Sequence, residues 1–248
     1  SNPIKMGLSR LKERGAKVVA VNPVRTGYNA IADEWVSITP GTDGLFVLAL
    51  IHELFTAGKI DLDYLIRYTN APWLVSDAPD SDEHGLFLRD KDGTPQVIDR
   101  NTKIVAANNK KGVKPDLKGD VTLKDGRKAV PVFMKMAETY MDKAYAPDAV
   151  AVATGVSSAQ IKAIAAELAR VAFDEEIVIE QPWTDLKGET HDKIIGRPVS
   201  MHAMRGISAH SNGFQTCRAI HLLQILLGSI ECPGGCRFKP PYPKPSTA

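Results

Sequence analysis

Residues 2–23 decide the fold class. They read Asn-Pro-Ile-Lys-Met-Gly-Leu-Ser-Arg-Leu-Lys-Glu-Arg-Gly-Ala-Lys-Val-Val-Ala-Val-Asn-Pro. Asn2 followed by Pro3 is a helix N-cap with proline at the first helical position, where its missing N–H costs nothing. Ile4, Leu8 and Leu11 recur at helical spacing, and Gly15 is placed to stop the helix. The β-branched run Ala16 to Val21 then reads as a short buried strand ending at Asn22-Pro23. Helix, glycine and buried strand are the second half of a βαβ unit. The first strand is missing, so the stretch is expected to be excised from a longer α/β chain.

Outward from there, Trp35 to Ile38 reads as a second strand, and Pro40-Gly41-Thr42-Asp43 opens a second helix. Leu45, Leu48, Ala49, Ile51 and Phe55 form its stripe, Thr42 or Asp43 can cap it, and Gly58 stops it. Asp61 starts a short helix through Leu62, Leu65 and Ile66. The acidic loop at residues 76–83 and the Asp92-Gly93 and Asp125-Gly126 turns mark a polar excursion of short strands with little core. Ser157 and Gln160 form a capping box for a helix on Ile161, Ile164, Leu168 and Val171. Ile177 to Ile179 reads as a buried strand, and Gly213 to Leu227 as a helix buried on most sides, with His221 a core residue. The Pro-rich tail, Lys239 to Pro245, is expected to be extended. The fold class is therefore α/β with Rossmann-like parallel βα layers. Three regions follow: residues 1–75, a nucleotide-binding βα segment; residues 76–130, the excursion; and residues 131–248, a second α/β segment.

Bulk properties remove several function classes. The 248 residues carry 44% hydrophobic and 24% charged side chains, ordinary for a globular chain that buries a core. A net charge of +2, with lysines and arginines scattered along the sequence, argues against a nucleic-acid binder. No run of about 18 apolar residues is present, so no membrane helix is expected. Three cysteines, Cys217, Cys232 and Cys236, do not make a disulfide framework and suit a reducing compartment. Cys232 and Cys236 flank a Pro-Gly-Gly turn, and two thiols alone cannot complete a zinc or iron–sulfur site.

Four segments are candidates for chemistry, each with a bland reading beside it. The Asn2-Pro3 helix start either simply begins a helix or offers free N–H groups to a phosphate. Asn22, Pro23 and Arg25 follow a parallel strand, where ligands sit in open α/β sheets; the alternative is a solvated loop. No G-x-G-x-x-G is present, so the ordinary dinucleotide fingerprint is absent. Asp43, behind Gly41 and Thr42, can either cap a helix or read guanine, whose N1–H and N2 donors match one carboxylate. Residues 204–213 gather Arg205, Gly206, Ser208, His210 and Asn212 in one polar loop. Its Gly-Ile-Ser-Ala-His run lacks the final glycine of a nucleophile elbow.

In order, these segments resemble the dimethyl sulfoxide reductase family of molybdopterin oxidoreductases. The resemblance rests on the Asn-Pro helix start, Gly15 to Thr26, Ala32-Asp33-Glu34-Trp35, Ile38 to Asp43, Thr154-Gly155-Val156, the Arg205 to His210 loop and the Leu227-Gly228 to Gly235 close. Within the family, residues 205–214 and 233–241 look most like the catalytic subunit of quinone-linked sulfite dehydrogenases. The resemblance implies molybdenum held by two molybdopterin guanine dinucleotides. Asn2 would lie at a cofactor phosphate, and Asn22, Pro23 and Arg25 at a guanosine. Asp43 would hold the guanine, with Gly41 and Thr42 shaping its approach, and Arg205, Gly206 and His210 would lie toward the pterin and the metal. Asn22 departs from the family's frequent aspartate, which weakens its contact with a ribose hydroxyl. The family's N-terminal [4Fe–4S] cysteine cluster and its C-terminal barrel are not in this sequence, so no catalytic residue and no metal ligand is assigned.

The resemblance further implies a parent that oxidises sulfite or another small sulfur oxyanion. Its location would be cytoplasmic, at the membrane through iron–sulfur and membrane-anchor subunits. The segment itself would be neither membrane-embedded nor active by itself. Two readings compete with this one: a free-standing Rossmann-like oxidoreductase using nicotinamide, and a non-catalytic scaffold module.

Overall fold

The computed structural model describes residues 3–25, 27–185, 188–203 and 205–236. Asn2 and the Pro-rich tail lie outside the described residues, so the expectations placed on them stand outside the structure.

Helix α1 (Pro3–Glu13) leads into β1 (Val19–Val21), with Gly15 at φ +89° turning the chain where the sequence stops the helix. Strand β2 (Glu34–Val36) pairs in parallel with β1, Val19 opposite Glu34 and Val21 opposite Val36. This is the one parallel pair of strands among the described residues, besides an isolated parallel bridge between Ile230 and Cys236; the other sheets are antiparallel.

Helix α2 (Asp43–Thr56) is the axis of the molecule. Helices α4 (Val132–Tyr140), α5 (Pro147–Thr154), α6 (Ser158–Phe173) and α8 (Gly213–Leu226) all pack on it. Its burial is wider than the expected stripe. Phe46, Val47, Leu50 and Leu54 are buried along with Ala49, Ile51 and Phe55, while Leu45 and Leu48 are only partly covered. A helix apolar on nearly every side sits between other helices, and this one does. At the α2–α8 crossing, a Cβ on Gly44 would lie 2.9 Å from Thr216 Oγ1, so glycine sets the approach of the two helices.

The residues that start and stop helices act largely as the sequence indicates. Asp61 caps α3 (Leu62–Tyr68), accepting from the Tyr64 amide at 2.9 Å. Gly155 closes α5 at φ +72°. Ser157 accepts from the Gln160 amide at 3.2 Å, which is one half of the expected capping box. The other half, Gln160 Oε1 accepting from the Ser157 amide, is not formed; the Gln160 side chain turns to Glu34, Nε2 donating to its carboxylate at 3.1 Å and tying α6 to β2. Ser157→Ala is expected to cost about 1 kcal/mol of stability, the usual value of a lost N-cap; an unchanged denaturation midpoint would show that the cap contributes nothing.

The excursion is an insertion on an antiparallel stem. Strand β3 (Leu74–Ser76) pairs with β7 (Lys128–Pro131), which also pairs with β6 (Val121–Thr122). Strands β4 (Gln96–Ile98) and β5 (Val105–Ala107) form a hairpin. Gly93 and Gly126 turn with positive φ, as their Asp-Gly pairs indicate. The insertion has a satellite core of its own, Leu74, Ile98 and Ala129 with Leu88, Val105, Val121 and Leu123 packed around them.

Two expectations fail. Strand β8 (Ile177–Ile179) pairs antiparallel with β11 (Ile194–Gly196), and all three of its residues are exposed, at 37–43%. No helix covers its faces among the described residues. Between these strands lies a second hairpin, β9 (Trp183–Thr184) with β10 (Thr190–His191). Helix α8, expected to be buried on most sides, is amphipathic. Phe214, Gln215, Arg218 and His221 line an exposed face, so His221 is not a core residue. The helical period puts these four on one side and Thr216, Ala219, Leu223 and Leu226 on the other, which faces α2.

Candidate functional site

The site is built at the carboxyl ends of β1 and β2. The opposite ends are clamped by charge. Lys17 bridges Glu34 and Glu167, and Lys12 pairs with Asp33 at 2.8 Å. The hydrogen bond to Glu167 raises the pKa of Lys17. The Gln160 amide, then Lys17, lowers that of Glu34, and Lys12, then the Val18 amide, lowers that of Asp33. These bonds fix the direction in which the strands deliver the chain, and their carboxyl ends open into loops 22–25 and 37–42.

In the first loop the Asn22 amide donates to Val36 O at 3.0 Å, continuing the parallel ladder by one residue. Asn22 Oδ1 accepts from the Val24 amide at 3.0 Å, closing an Asx turn. The side-chain oxygen that a ribose hydroxyl would meet is thus engaged with its own backbone. Pro23 is exposed within this turn. The Arg25 guanidinium lies 5.9 Å from the centre of the Trp35 ring and forms no ion pair among the described residues.

In the second loop Gly41 adopts φ +83°, a conformation that suits glycine. Thr42 stands at the N-cap of α2 without capping it; its hydroxyl donates instead to Thr39 O at 2.7 Å. Asp43 is the first residue of α2, half-buried, with no hydrogen bond or ion pair among the described residues. An unpaired carboxylate there, beside backbone N–H groups at the positive end of a 14-residue helix, is a polar surface ready for a ligand.

The third segment comes from far along the chain and docks on the second. Helix α7 (Arg205–Ser208) is a single turn inside the polar loop, closed by Ser208 Oγ donating to Arg205 O at 2.9 Å. Asn212 Nδ2 donates to Gly41 O at 3.1 Å, and a Cβ on Gly41 would stand 3.8 Å from His210 Nδ1. The structure therefore brings His210 and Asn212 to Gly41, the residue that leads into Thr42 and Asp43. Arg205, Gly206 and His210 are exposed, and Arg205 and His210 form no ion pair among the described residues. Asn22, Pro23 and Arg25 share the strand-end face through β1–β2 pairing rather than through contact with the α7 loop.

Beside this face, a cavity of about 320 Å³ opens along α2 directly after Asp43, from Gly44 onward. Leu45, Leu48, Tyr140, Tyr145, Asn212 and Arg218 are among its lining residues. Sequence reasoning did not find it, since α4 and α8 are joined only by folding.

Two further clusters lie away from this face. Asp185, Glu189 and His191 converge in the β9–β10 hairpin with their ligand-capable atoms within 4.8 Å of one another. Arg67 lies 3.6 Å from the buried Asp185 carboxylate and His191 Nε2 lies 3.0 Å from it, so its charge is already answered by protein. The second cluster centres on Arg197. Its guanidinium bonds Asp61 at 2.9 Å, Glu176 at 2.6 Å and Ala172 O at 3.0 Å, and lies over the Phe173 ring. Burial raises the pKa of the Cys232 thiol, which accepts from the Arg197 amide. Cys232 and Cys236 flank the glycine turn as its wall, with the Cys236 amide donating to Ser229 O at 2.7 Å.

No protein-family model matches the chain. It is 43% identical to a sulfite dehydrogenase subunit of Allochromatium vinosum, over 99% of this chain and 26% of that protein. It is 25% identical to the formate dehydrogenase major subunit of Haemophilus influenzae, over 90% of this chain and 19% of that protein. The fold is similar to that of acetylene hydratase from Pelobacter acetylenicus, with a TM-score of 0.51, 16% identity, and 92% of this chain covered against 19% of that one. The chain thus spans about a quarter or less of the length of these relatives.

Proposed function

From a chain that belongs to the dimethyl sulfoxide reductase family of molybdopterin oxidoreductases, and that corresponds to a segment of their catalytic subunits, we infer one wall of a cofactor cleft. We propose that it holds the guanosine end of a molybdopterin guanine dinucleotide. The observation that carries this reading is Asp43, a carboxylate without a protein partner among the described residues, at the start of α2, on the face where β1, β2 and the α7 loop converge. The residues present fit the group. Asp43 accepts from guanine N1–H and N2, Arg25 stands ready for a phosphate, and the positive-φ Gly41 keeps the approach free of a side chain. His210 and Arg205, exposed on the loop that docks at Gly41, would lie toward the pterin. Asn2 would contribute at a phosphate. Asn22 has its side-chain oxygen engaged in the Asx turn, so its contribution to a ribose would come through its Nδ2 group.

In the parent, we propose, the cofactor supplies a two-electron oxidation of sulfite, and this segment supplies binding and orientation. The parent would pair with iron–sulfur and membrane-anchor subunits on the cytoplasmic side, with a [4Fe–4S] cluster elsewhere in the catalytic subunit. Support comes from the 43% identity to a sulfite dehydrogenase subunit.

Asp43→Ala in the full-length subunit tests the assignment. The expected result is at least tenfold less bound guanine dinucleotide after purification, the loss of a charge-assisted bidentate contact being worth about 1.5–3 kcal/mol. Asp43→Asn, which offers one acceptor and unwanted donors, is expected to lose nearly as much. Wild-type cofactor content in both variants would overturn the role of Asp43.

A further inference from the structure

The cavity beside the candidate site presents donors that no other described part of the chain uses. At about 320 Å³ it is at the small end of the range for pockets that take small molecules. Its walls come from α2, from the end of α4 with the short turn Lys143–Tyr145, and from α8. Those walls are held in place. A Cβ on Gly44 would lie 2.9 Å from Thr216 Oγ1, so glycine lets α2 and α8 close the cavity floor. The Tyr140 ring stacks on Phe55 at 6.3 Å, and His52 Nδ1 lies 3.0 Å from the Tyr140 carbonyl oxygen. Asp142 accepts from the Ala144 amide at 2.8 Å and steadies the turn that presents Tyr145.

One part of the lining is apolar. Leu45, Leu48 and Leu222 stand there with the Tyr140 and Tyr145 rings, whose centres are 6.4 Å apart. The other part is polar. The Arg218 guanidinium, the Gln215 amide and the two tyrosine hydroxyls make no hydrogen bond or ion pair among the described residues. No aspartate or glutamate lines the cavity among those residues. One positive charge therefore stands without a counter-charge, next to apolar walls. A guanidinium fork takes two oxygens of a carboxylate or phosphate, and leucines and tyrosines cover an apolar or aromatic body. A neutral ligand leaves Arg218 unanswered, a cation is repelled by it, and a bare inorganic anion leaves the apolar walls wet.

We propose that this cavity binds a small organic oxyanion with an apolar or aromatic body, its head at Arg218 and its body against the leucines and tyrosines. The site stands apart from the guanosine position. Asp43 does not line the cavity, and Arg218 lies about 9 Å along α8 from Asn212, the residue docked on Gly41.

The test titrates the full-length catalytic subunit, cofactor bound, by calorimetry with benzoate, phenyl phosphate, neutral benzamide and inorganic phosphate. The expected result is one equivalent of benzoate or phenyl phosphate, bound at least tenfold more tightly than benzamide or inorganic phosphate, with guanine dinucleotide content unchanged. The tighter of the two anions identifies the head group. Arg218→Met, at an exposed position, should fold normally and weaken both anions at least tenfold while leaving benzamide as it was. Tyr145→Phe should weaken them by about threefold, the usual worth of one neutral hydrogen bond. No saturable binding of either anion overturns the proposal, as does binding that both variants leave unchanged. Equal affinity for benzamide overturns the role of Arg218, and equal affinity for inorganic phosphate overturns that of the apolar walls. Release of guanine dinucleotide during the titration places the ligand in the cofactor cleft and overturns a separate site. Cofactor content and anion affinity are separate readings, so this proposal and the guanosine assignment fail separately.

Discussion

Arg197→Ala is expected to cost about 3–5 kcal/mol of folding stability. The side chain is 14% exposed, and its removal leaves Asp61, itself 13% exposed, without its cation. Breaking a buried pair from one side costs this much because the remaining charge stays desolvated. Asp61 also caps α3, and its backbone amide donates to Leu226 O at 2.8 Å at the end of α8. Arg197 further holds Glu176 and Ala172 O just beyond and within the last turn of α6. One side chain therefore joins the ends of three helices. For a chain of this size the loss corresponds to a melting temperature lower by roughly 6–20 °C. The paired change Arg197→Met with Asp61→Asn should recover part of it, since no unpaired carboxylate remains. A single variant that melts within 2 °C of the wild type would show that the cluster is solvated rather than holding the helices.

Gly213→Ala is expected to collapse the site-forming loop. A Cβ there would lie 2.3 Å from Ser208 O and 2.6 Å from its carbonyl carbon, both backbone atoms that cannot move without unwinding α7. Overpacking of this kind costs about 1–3 kcal/mol. The displacement would also break the Asn212 to Gly41 hydrogen bond that seats the loop. Gly206→Ala is the informative contrast. Nothing lies within 4 Å of a Cβ at that position, so the variant should fold as stably as the wild type. If the cofactor runs over Gly206, this variant will bind it at least tenfold more weakly while melting normally. Equal stability of Gly213→Ala and Gly206→Ala would refute the steric argument.

The local signals were legible where a short stretch settles its own structure. The helix, glycine and strand of residues 3–21, the α3 cap at Asp61 and the Asp-Gly turns each depend on neighbours a few residues away. What failed depends on contacts from afar. Ile177 to Ile179 is apolar enough for a buried strand, yet burial requires something packed on it, and the run cannot name that element. Gln160 looked like a partner for Ser157 and found Glu34, 126 residues earlier. Arg197 and Asp61, 136 residues apart, carry no pattern that links them in one dimension. Among the site residues, Gly41 to Asp43 stood out because a strand-to-helix turn is local. Their meeting with His210 and Asn212, and the cavity beside them, appear only once α8 lies across α2.

The antiparallel stem of β3 and β7 has a consequence for how this protein can vary. Leu74 faces Pro131 and Ser76 faces Ala129, so the chain leaves the main body and returns to it at neighbouring points. To the helices around α2, everything between is one closed loop. The entropy of closing such a loop grows only with the logarithm of its length, about 0.6 kcal/mol per doubling. Residues can be gained or lost on the far side of the stem with almost no change in the stability of the helical core. The charged residues out there are thus free to drift, while the start of α2 at Asp43 stays where it is.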